Sequence, residues 1–233
     1  MKDLLKRILA RSPWLFQKVR CFYLSRITTL DIEPEMVPLK ELIKPGSHIL
    51  DLGANIGVIT RFLAGLVGSE GRVNALEPVA GNYEILRAST ARMANVLTHR
   101  LAVGEISGMT TISIPKGADG YYLAHLGRGE KEDRQENIEV VRLDDLALPK
   151  LDFVKCDIEG GELAMLKGAR GVIEKWHPGW YMEVAKITSD DVFAFMHGRG
   201  YRSFVCENEK LVPTERYLDK RHSNYYFLRS LPR

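Results

Sequence analysis

The sequence predicts a doubly wound α/β fold, a mostly parallel sheet with helices on both faces, preceded by a helical appendage. Three observations carry that expectation. Short apolar runs alternate with helix-period segments from residue 48 onward. The first run leads into a turn with two glycines, and the second ends in an acid. The chain has 233 residues, 45% hydrophobic and 27% charged, which suits one globular domain with an extension and excludes collagen-like or wholly disordered classes.

The extension comes first. Residues 1–26 hold seven bases and one acid, a local charge of +6 in a chain of +3 overall, so the remainder stands at −3. Leu4, Leu5, Ile8, Leu9, Leu15, Phe16, Val19, Phe22 and Tyr23 recur at three- and four-residue steps, which predicts two short helices over 2–10 and 13–25, divided at Ser12-Pro13. Charge interrupts the apolar residues, so this is no secretion signal. Two roles are open to residues 1–33: a lid on the following domain (34–233), or a basic amphipathic surface touching anionic lipid or a lipid-linked substrate. No apolar run approaches the ~20 residues that span a bilayer. Cys21, Cys156 and Cys206 are the only cysteines and form no C-x-x-C, so a reducing, cytoplasmic setting is expected, peripheral to a membrane at most. The main body is not basic, and no nucleic-acid partner is expected.

The elements of the body follow in order. Residues 48–52 read as a buried strand, 56–67 as a helix ended by Gly68, 73–76 as a second strand, 80–93 as a helix and 96–103 as a third strand. Residues 108–142 read as an insertion, with strand character at 110–114 and 138–141 around a polar, glycine-rich stretch at 115–137. Residues 151–156 are a clear buried strand. A helix at 161–175, a strand at 180–184, a helix at 189–198 and strands at 201–205 and 225–228 complete the chain.

Chemistry concentrates where strands end. Asp51-Leu52-Gly53-Ala54-Asn55-Ile56-Gly57 follows the first strand. It is G-x-N-x-G and lacks the second and third glycines of the dinucleotide fingerprint. Asp51 would repel a pyrophosphate and suits an ammonium group. Gly53 and Gly57 let a ligand approach backbone, although Asp51 could equally cap the helix. Glu77, at the end of strand two, can accept both hydroxyls of a ribose. Together these suit S-adenosylmethionine, with Asn82 in the next helix placed near the adenine. Asp157 and Glu159 follow the buried strand 151–156, at the edge where open α/β sheets bind ligands. They can orient or deprotonate an attacking hydroxyl, or serve only the first turn of the next helix. Glu183 ends the following strand, where an acid among apolar residues needs a partner. No H-x-x-H pair is present and Glu174-x-x-His177 stands alone, so a tight transition-metal site is disfavoured and no metal is expected, a divalent ion held by Asp157 and Glu183 being the alternative. His125, His222, Asn224 and Tyr121-Tyr122 are lesser candidates with ordinary surface or core roles open to them.

The chain resembles the FkbM family of S-adenosylmethionine-dependent methyltransferases over about 34–230. The resemblance rests on Lys44-Pro45-Gly46, the Asp51 to Gly57 turn, Glu77-Pro78, Arg142-Leu143-Asp144-Asp145-Leu146, Lys155-Cys156-Asp157-Ile158-Glu159-Gly160-Gly161-Glu162, Leu166-Lys167-Gly168-Ala169 and Glu183. It implies a Rossmann-like sheet of seven strands with the last antiparallel. It also implies O-methylation of a sugar, glycolipid, polysaccharide or natural product. Asp51, Gly53, Asn55, Gly57, Glu77 and Asn82 would hold the cofactor, and Asp157, Glu159 and Glu183 would act on a small-molecule or glycan acceptor. The rival readings are a non-catalytic S-adenosylmethionine-binding module and a nicotinamide oxidoreductase, the latter disfavoured by the missing glycine.

Overall fold

The computed structural model describes residues 34–114, 125–126, 134–218 and 222–230. The helices expected at 2–10 and 13–25, Tyr121-Tyr122, the His125 side chain and most of 115–137 lie outside the described side chains. Among the described residues no helix is long and apolar enough to cross a membrane.

The main sheet has eight strands. They are β1 (His48–Leu52), β2 (Arg72–Leu76), β3 (Val96–His99), β8 (Phe153–Cys156), β9 (Gly179–Glu183), β10 (Arg202–Glu207), β11 (Lys210–Thr214) and β12 (Asn224–Leu228). Their order is β11-β10-β12-β9-β8-β1-β2-β3. β1 pairs in parallel with β2 on one side and β8 on the other. β12 runs antiparallel between β9 and β10, as the family resemblance implies. The extra strand is β11, which follows a two-residue reversal at Asn208-Glu209. Both residues have positive φ, 50° and 64°, the twist a tight hairpin requires. Pro213 fits β11 because β11 is an edge strand, and that proline hides the strand from a pattern search.

Central strands read as mostly apolar runs, interrupted by Asp51 in β1 and Lys155 in β8, because both faces are covered. On one face Leu50, Val154, Trp180 and Met182 pack against α4 (Glu162–Lys167), α5 (Arg170–Trp176) and α6 (Ser189–His197). On the other, Ile49, Phe153, Tyr181 and Tyr226 pack against α1 (Leu39–Leu42) and α2 (Val58–Val67). α2 buries Thr60, Leu63, Ala64 and Val67, one stripe of an amphipathic helix, and Gly68 at φ 65° ends it. Between β2 and β3 runs α3 (Ala80–Thr90).

The structure corrects two expected elements. The single strand at 96–103 is two: β3 stays in the main sheet, and β4 (Ala102–Val103) crosses to a second sheet ordered β4-β7-β5-β6. This small sheet takes in the insertion as β5 (Gly108–Ile114), β6 (His125–Leu126) and β7 (Arg134–Val141). Val79, Ala102, Ile112, Ile114, Ile138 and Val140 form its core. Val96-Leu97 and Leu101-Ala102-Val103 are both apolar, so the pattern does not reveal the change of sheet. The single helix at 161–175 is likewise two, α4 and α5. A Cβ on Gly168 would lie 2.1 Å from the Gly104 carbonyl oxygen, so the small sheet presses on the break. Asp144 holds the break from outside. Its backbone N–H donates to the Gly168 carbonyl at 3.0 Å, and its Oδ1 accepts the Val172 N–H at 2.9 Å, capping α5. The Arg142–Leu146 and Leu166–Ala169 motifs are thus two halves of one structural joint.

Candidate active site

β1 is the switch point of the sheet, since its two neighbours continue the chain in opposite directions. A crevice opens there, outside the carboxyl ends of β1, β2 and β8. Gly53, Asn55, Glu77, Asp157 and Glu159 line it together with the apolar Leu101, Val103 and Ile112. Asp51, Gly57, Asn82 and Glu183 stand behind this lining.

The turn after β1 is built by packing. Gly53 has φ 71°, and a Cβ there would lie 1.7 Å from the Asp157 carbonyl oxygen. Gly57 has φ 88°, and a Cβ would meet Leu86 and Ser89 of α3 at 2.8 and 2.9 Å. Both positions need glycine before any ligand is considered. Asn55 takes φ 51°, a conformation asparagine tolerates better than most residues, and its N–H donates to Glu77 Oε2 at 2.8 Å.

Glu77 is 4% exposed. Its Oε1 accepts the Val79 N–H at 2.9 Å and the Asn82 side-chain amide at 3.4 Å. Burial drives its pKa up to about 7, against the opposing pull of the Val79 and Asn55 amides, Asn82 and Lys155. Asn82, expected beside the adenine, is buried and supports Glu77.

Asp51 is fully buried. Its Oδ2 accepts the Thr60 hydroxyl at 2.6 Å, and its Oδ1 faces Lys155 Nζ at 3.5 Å. The sheet register places Lys155 directly opposite Asp51. Lys155 Nζ also donates to the Gly53 carbonyl at 3.1 Å and lies 3.7 Å from Asp157 Oδ2. The ammonium that Asp51 calls for is therefore supplied by the protein. Sequence position alone gives Lys155 no task. The signal was a lone charge in a buried strand, one register step from a buried acid.

Asp157, Glu159 and Glu183 converge, each with a carboxylate oxygen within 4.8 Å of the other two. The Cys156–Met182 pairing of β8 with β9 puts Asp157 and Glu183 side by side at the next step. Glu159 adopts φ 51° and Gly160 φ 90°, a reversal that Glu162 pins by accepting the Gly160 N–H at 2.7 Å. Burial first, then its hydrogen bond to Asp157 and the charges of Asp157, Glu159 and Glu162, raise Glu183 to about 8. The hydrogen-bonded Asp157–Glu183 pair is thus placed to share a proton. Acid clusters of this kind are common without a bound cation, and their chemical interest lies in this shared proton. His222 lies apart, 3.6 Å from Glu207 and 4.0 Å from Glu35.

Residues 51–203, close to two thirds of the chain, match the family model described as the methyltransferase FkbM domain. The chain belongs to the FkbM methyltransferase family. S-adenosylmethionine is accordingly its cofactor. Among solved structures, an FkbM methyltransferase from Methylobacillus flagellatus KT is similar at 24% identity and a TM-score of 0.53, over 78% of this chain and 44% of that one. This FkbM chain therefore spans less than half the length of that relative. Fibrillarin from Aeropyrum pernix, with natively bound S-adenosyl-L-methionine, aligns at 12% identity and a TM-score of 0.49 over 80% and 68%. A SAM-dependent methyltransferase from Aquifex aeolicus aligns at 15% identity and 0.46 over 90% and 96%. Among curated proteins none matches.

The crevice fits such a nucleoside on its own terms. Asn55 Oδ1 is buried and has no hydrogen-bond partner among the described residues, so the wall holds an acceptor in want of a donor. Glu77 Oε2 has a lone pair left beyond the Asn55 bond, open to a ribose hydroxyl, while Oε1 is already shared by the Val79 and Asn82 amides.

Proposed function

We propose that the protein O-methylates a hydroxyl of a sugar, glycolipid, polysaccharide or natural product. The observation that carries this reading is the trio Asp157, Glu159 and Glu183 beside the crevice. A hydroxyl acceptor must lose its proton as the methyl arrives, and a carboxylate within reach takes it. When bound, S-adenosylmethionine supplies an electrophilic methyl on a sulfonium. The chain's own residues do the rest. Glu77 takes the ribose, with Asn82 and the Val79 amide fixing its orientation. Asn55 offers Oδ1 to the nucleoside. Asp51 and Lys155 brace the turn from behind. Asp157 receives the acceptor proton, aimed by Glu183 and by the Lys155 ammonium, and Glu159 closes the rim. The small sheet, whose Ile112 faces the crevice, is the natural selector of the acceptor.

The contact of residues 1–26 with anionic lipid rests on their seven bases and apolar periodicity. Liposome co-sedimentation at low salt tests it, and loss of binding without that segment is expected. The reaction is tested by incubating glycan and metabolite extracts with methyl-labelled cofactor and following label by mass spectrometry. Transfer to oxygen is expected. Asp157→Asn is expected to keep cofactor affinity and lose transfer by about a hundredfold or more. Full transfer by that variant would remove Asp157 as the base.

A further inference from the structure

The chain leaves β2 through a short segment, Glu77-Pro78-Val79-Ala80, that the appended sheet grips. The β5–β7 register sets Glu136 opposite Ile112, so both side chains stand on one face of the small sheet. Ile114, Ile138 and Val140 belong to the same apolar cluster, and Val79 is buried among them. Glu136 is a charged side chain within this contact, 8% exposed. Its Oε2 accepts the Ala80 N–H at 3.0 Å and an Arg100 Nη2 N–H at 3.3 Å. Its Oε1 lies 2.8 Å from Arg134 Nη2. Arg100 also donates from Nε to the Pro78 carbonyl at 3.3 Å.

These bonds reach the Glu77 carboxylate through one rigid unit. The Pro78 carbonyl and the Val79 N–H belong to a single planar peptide. Arg100 holds one end of that plane, and the other end donates to Glu77 Oε1 at 2.9 Å. Glu136 holds the next N–H along, at the first residue of α3. The residue before it, Val79, has an aliphatic side chain and cannot cap the helix, so a carboxylate from the other sheet does so, in the place the helix dipole favours. The Glu77 N–H is itself tied to the carbonyl of His99, the neighbour of Arg100, at 3.1 Å. Position and aim are thus set separately: β3 fixes the backbone of Glu77, and the peptide that Glu136 and Arg100 orient fixes its carboxylate.

We propose that Glu136 is a positioning residue for the cofactor: through Arg100 and the Pro78–Val79 peptide it aims the Glu77 carboxylate at the ribose, so that the appended sheet completes the nucleoside site as well as facing the acceptor. The inference rests on the reading of Glu77 as the ribose ligand. Glu136 stands outside the residues that line the crevice, so its effect on affinity passes through the segment it grips. A residue that only ties two sheets together would change stability and leave affinity alone, and the two roles therefore separate in a binding experiment.

The test is calorimetric titration of the full chain and its variants with S-adenosylhomocysteine, well below the Tm of each. Glu136→Ala removes the acceptor shared by Ala80 and Arg100 and is expected to weaken binding about tenfold. Glu136→Gln can place its one oxygen where Oε2 stands and serve both donors, so it should bind within about threefold of the unaltered protein. In a Glu77→Gln background the ribose ligand is already lost, and Glu136→Ala should then cost less than about twofold more. Arg100→Ala alters a side chain that is 42% exposed and tests the same link should Glu136→Ala not fold; it should weaken binding by about three- to tenfold. Unchanged affinity in Glu136→Ala, or in Arg100→Ala, overturns the inference, as does a Glu136→Ala loss of equal size with and without Glu77→Gln. Unchanged affinity in Glu77→Gln alone is a different result: it removes Glu77 as the ribose ligand, and this inference falls with it.

Discussion

Replacing Glu77 with glutamine separates what the residue does for the fold from what it does for the cofactor. The Glu77 carboxylate accepts the Asn55 amide at 2.8 Å and the Val79 amide at 2.9 Å. Glutamine keeps one acceptor oxygen, so one of these amides loses its partner, a cost of about 1–3 kcal/mol. Set against this is relief. Burial lifts Glu77 from 4.5 to about 7, which at pH 8 costs the fold roughly 3 kcal/mol. The two nearly cancel, and Glu77→Gln is expected to melt within a few degrees of the unaltered protein. Cofactor binding has no such offset. Losing charge-assisted bonds to the ribose removes about 2–4 kcal/mol, roughly 30- to 1,000-fold in affinity. The assay is thermal shift at pH 8 with S-adenosylhomocysteine at 100 times its wild-type Kd. The wild type should gain about 2.7 kcal/mol, or about 5–11 °C for a domain of this size. The variant, some hundredfold weaker, should gain about 1 °C. A full shift in Glu77→Gln would refute Glu77 as the ribose ligand. A collapse in Tm without ligand would refute the balance of burial against hydrogen bonding.

Three further perturbations probe the frame around the site. Lys155→Met leaves Asp51 buried with its countercharge gone and should cost about 3–5 kcal/mol in urea unfolding, while Asp51→Asn combined with Lys155→Met should recover most of that loss. Gly168→Ala drives a methyl group into the Gly104 carbonyl at the α4–α5 break and should cost about 1–3 kcal/mol, read as a Tm lower by about 3–10 °C. Stability should fall as pH rises, because Glu77 and Glu183 have raised values of about 7 and 8 and the folded chain binds more protons than the unfolded one above about pH 4.5. Their favourable contribution is complete below pH 4.5 and gone above about 8. Glu183 adds less than its shift implies because solvent reaches it. Chemical denaturation at pH 5, 6.5 and 8 checks the slope.

The parts of this molecule that were legible in the sequence are those set by local pattern. β1 and β8 are buried on both faces, mostly apolar, and flanked by turn residues, so length and composition suffice to find them. Glu77, Asp157 and Glu183 stand out because an acid at the end of a buried strand is chemically conspicuous. The less legible features depend on which strand lies beside which. Asp51 and Lys155 are 104 positions apart, and only the β1–β8 register makes them partners. Gly53 was recognisable as special, yet its reason lies in the Asp157 carbonyl that crosses it. The division of 96–103 and the α4–α5 break both answer to the small sheet, whose position no periodicity encodes.

Ile112 belongs to the appended sheet, yet it faces the same hollow as Glu77. Repacking that sheet would reshape the berth while every carboxylate stays where it is. Acceptor preference thus has room to drift through changes in aliphatic bulk, and the methyl-donating machinery need not be rebuilt each time.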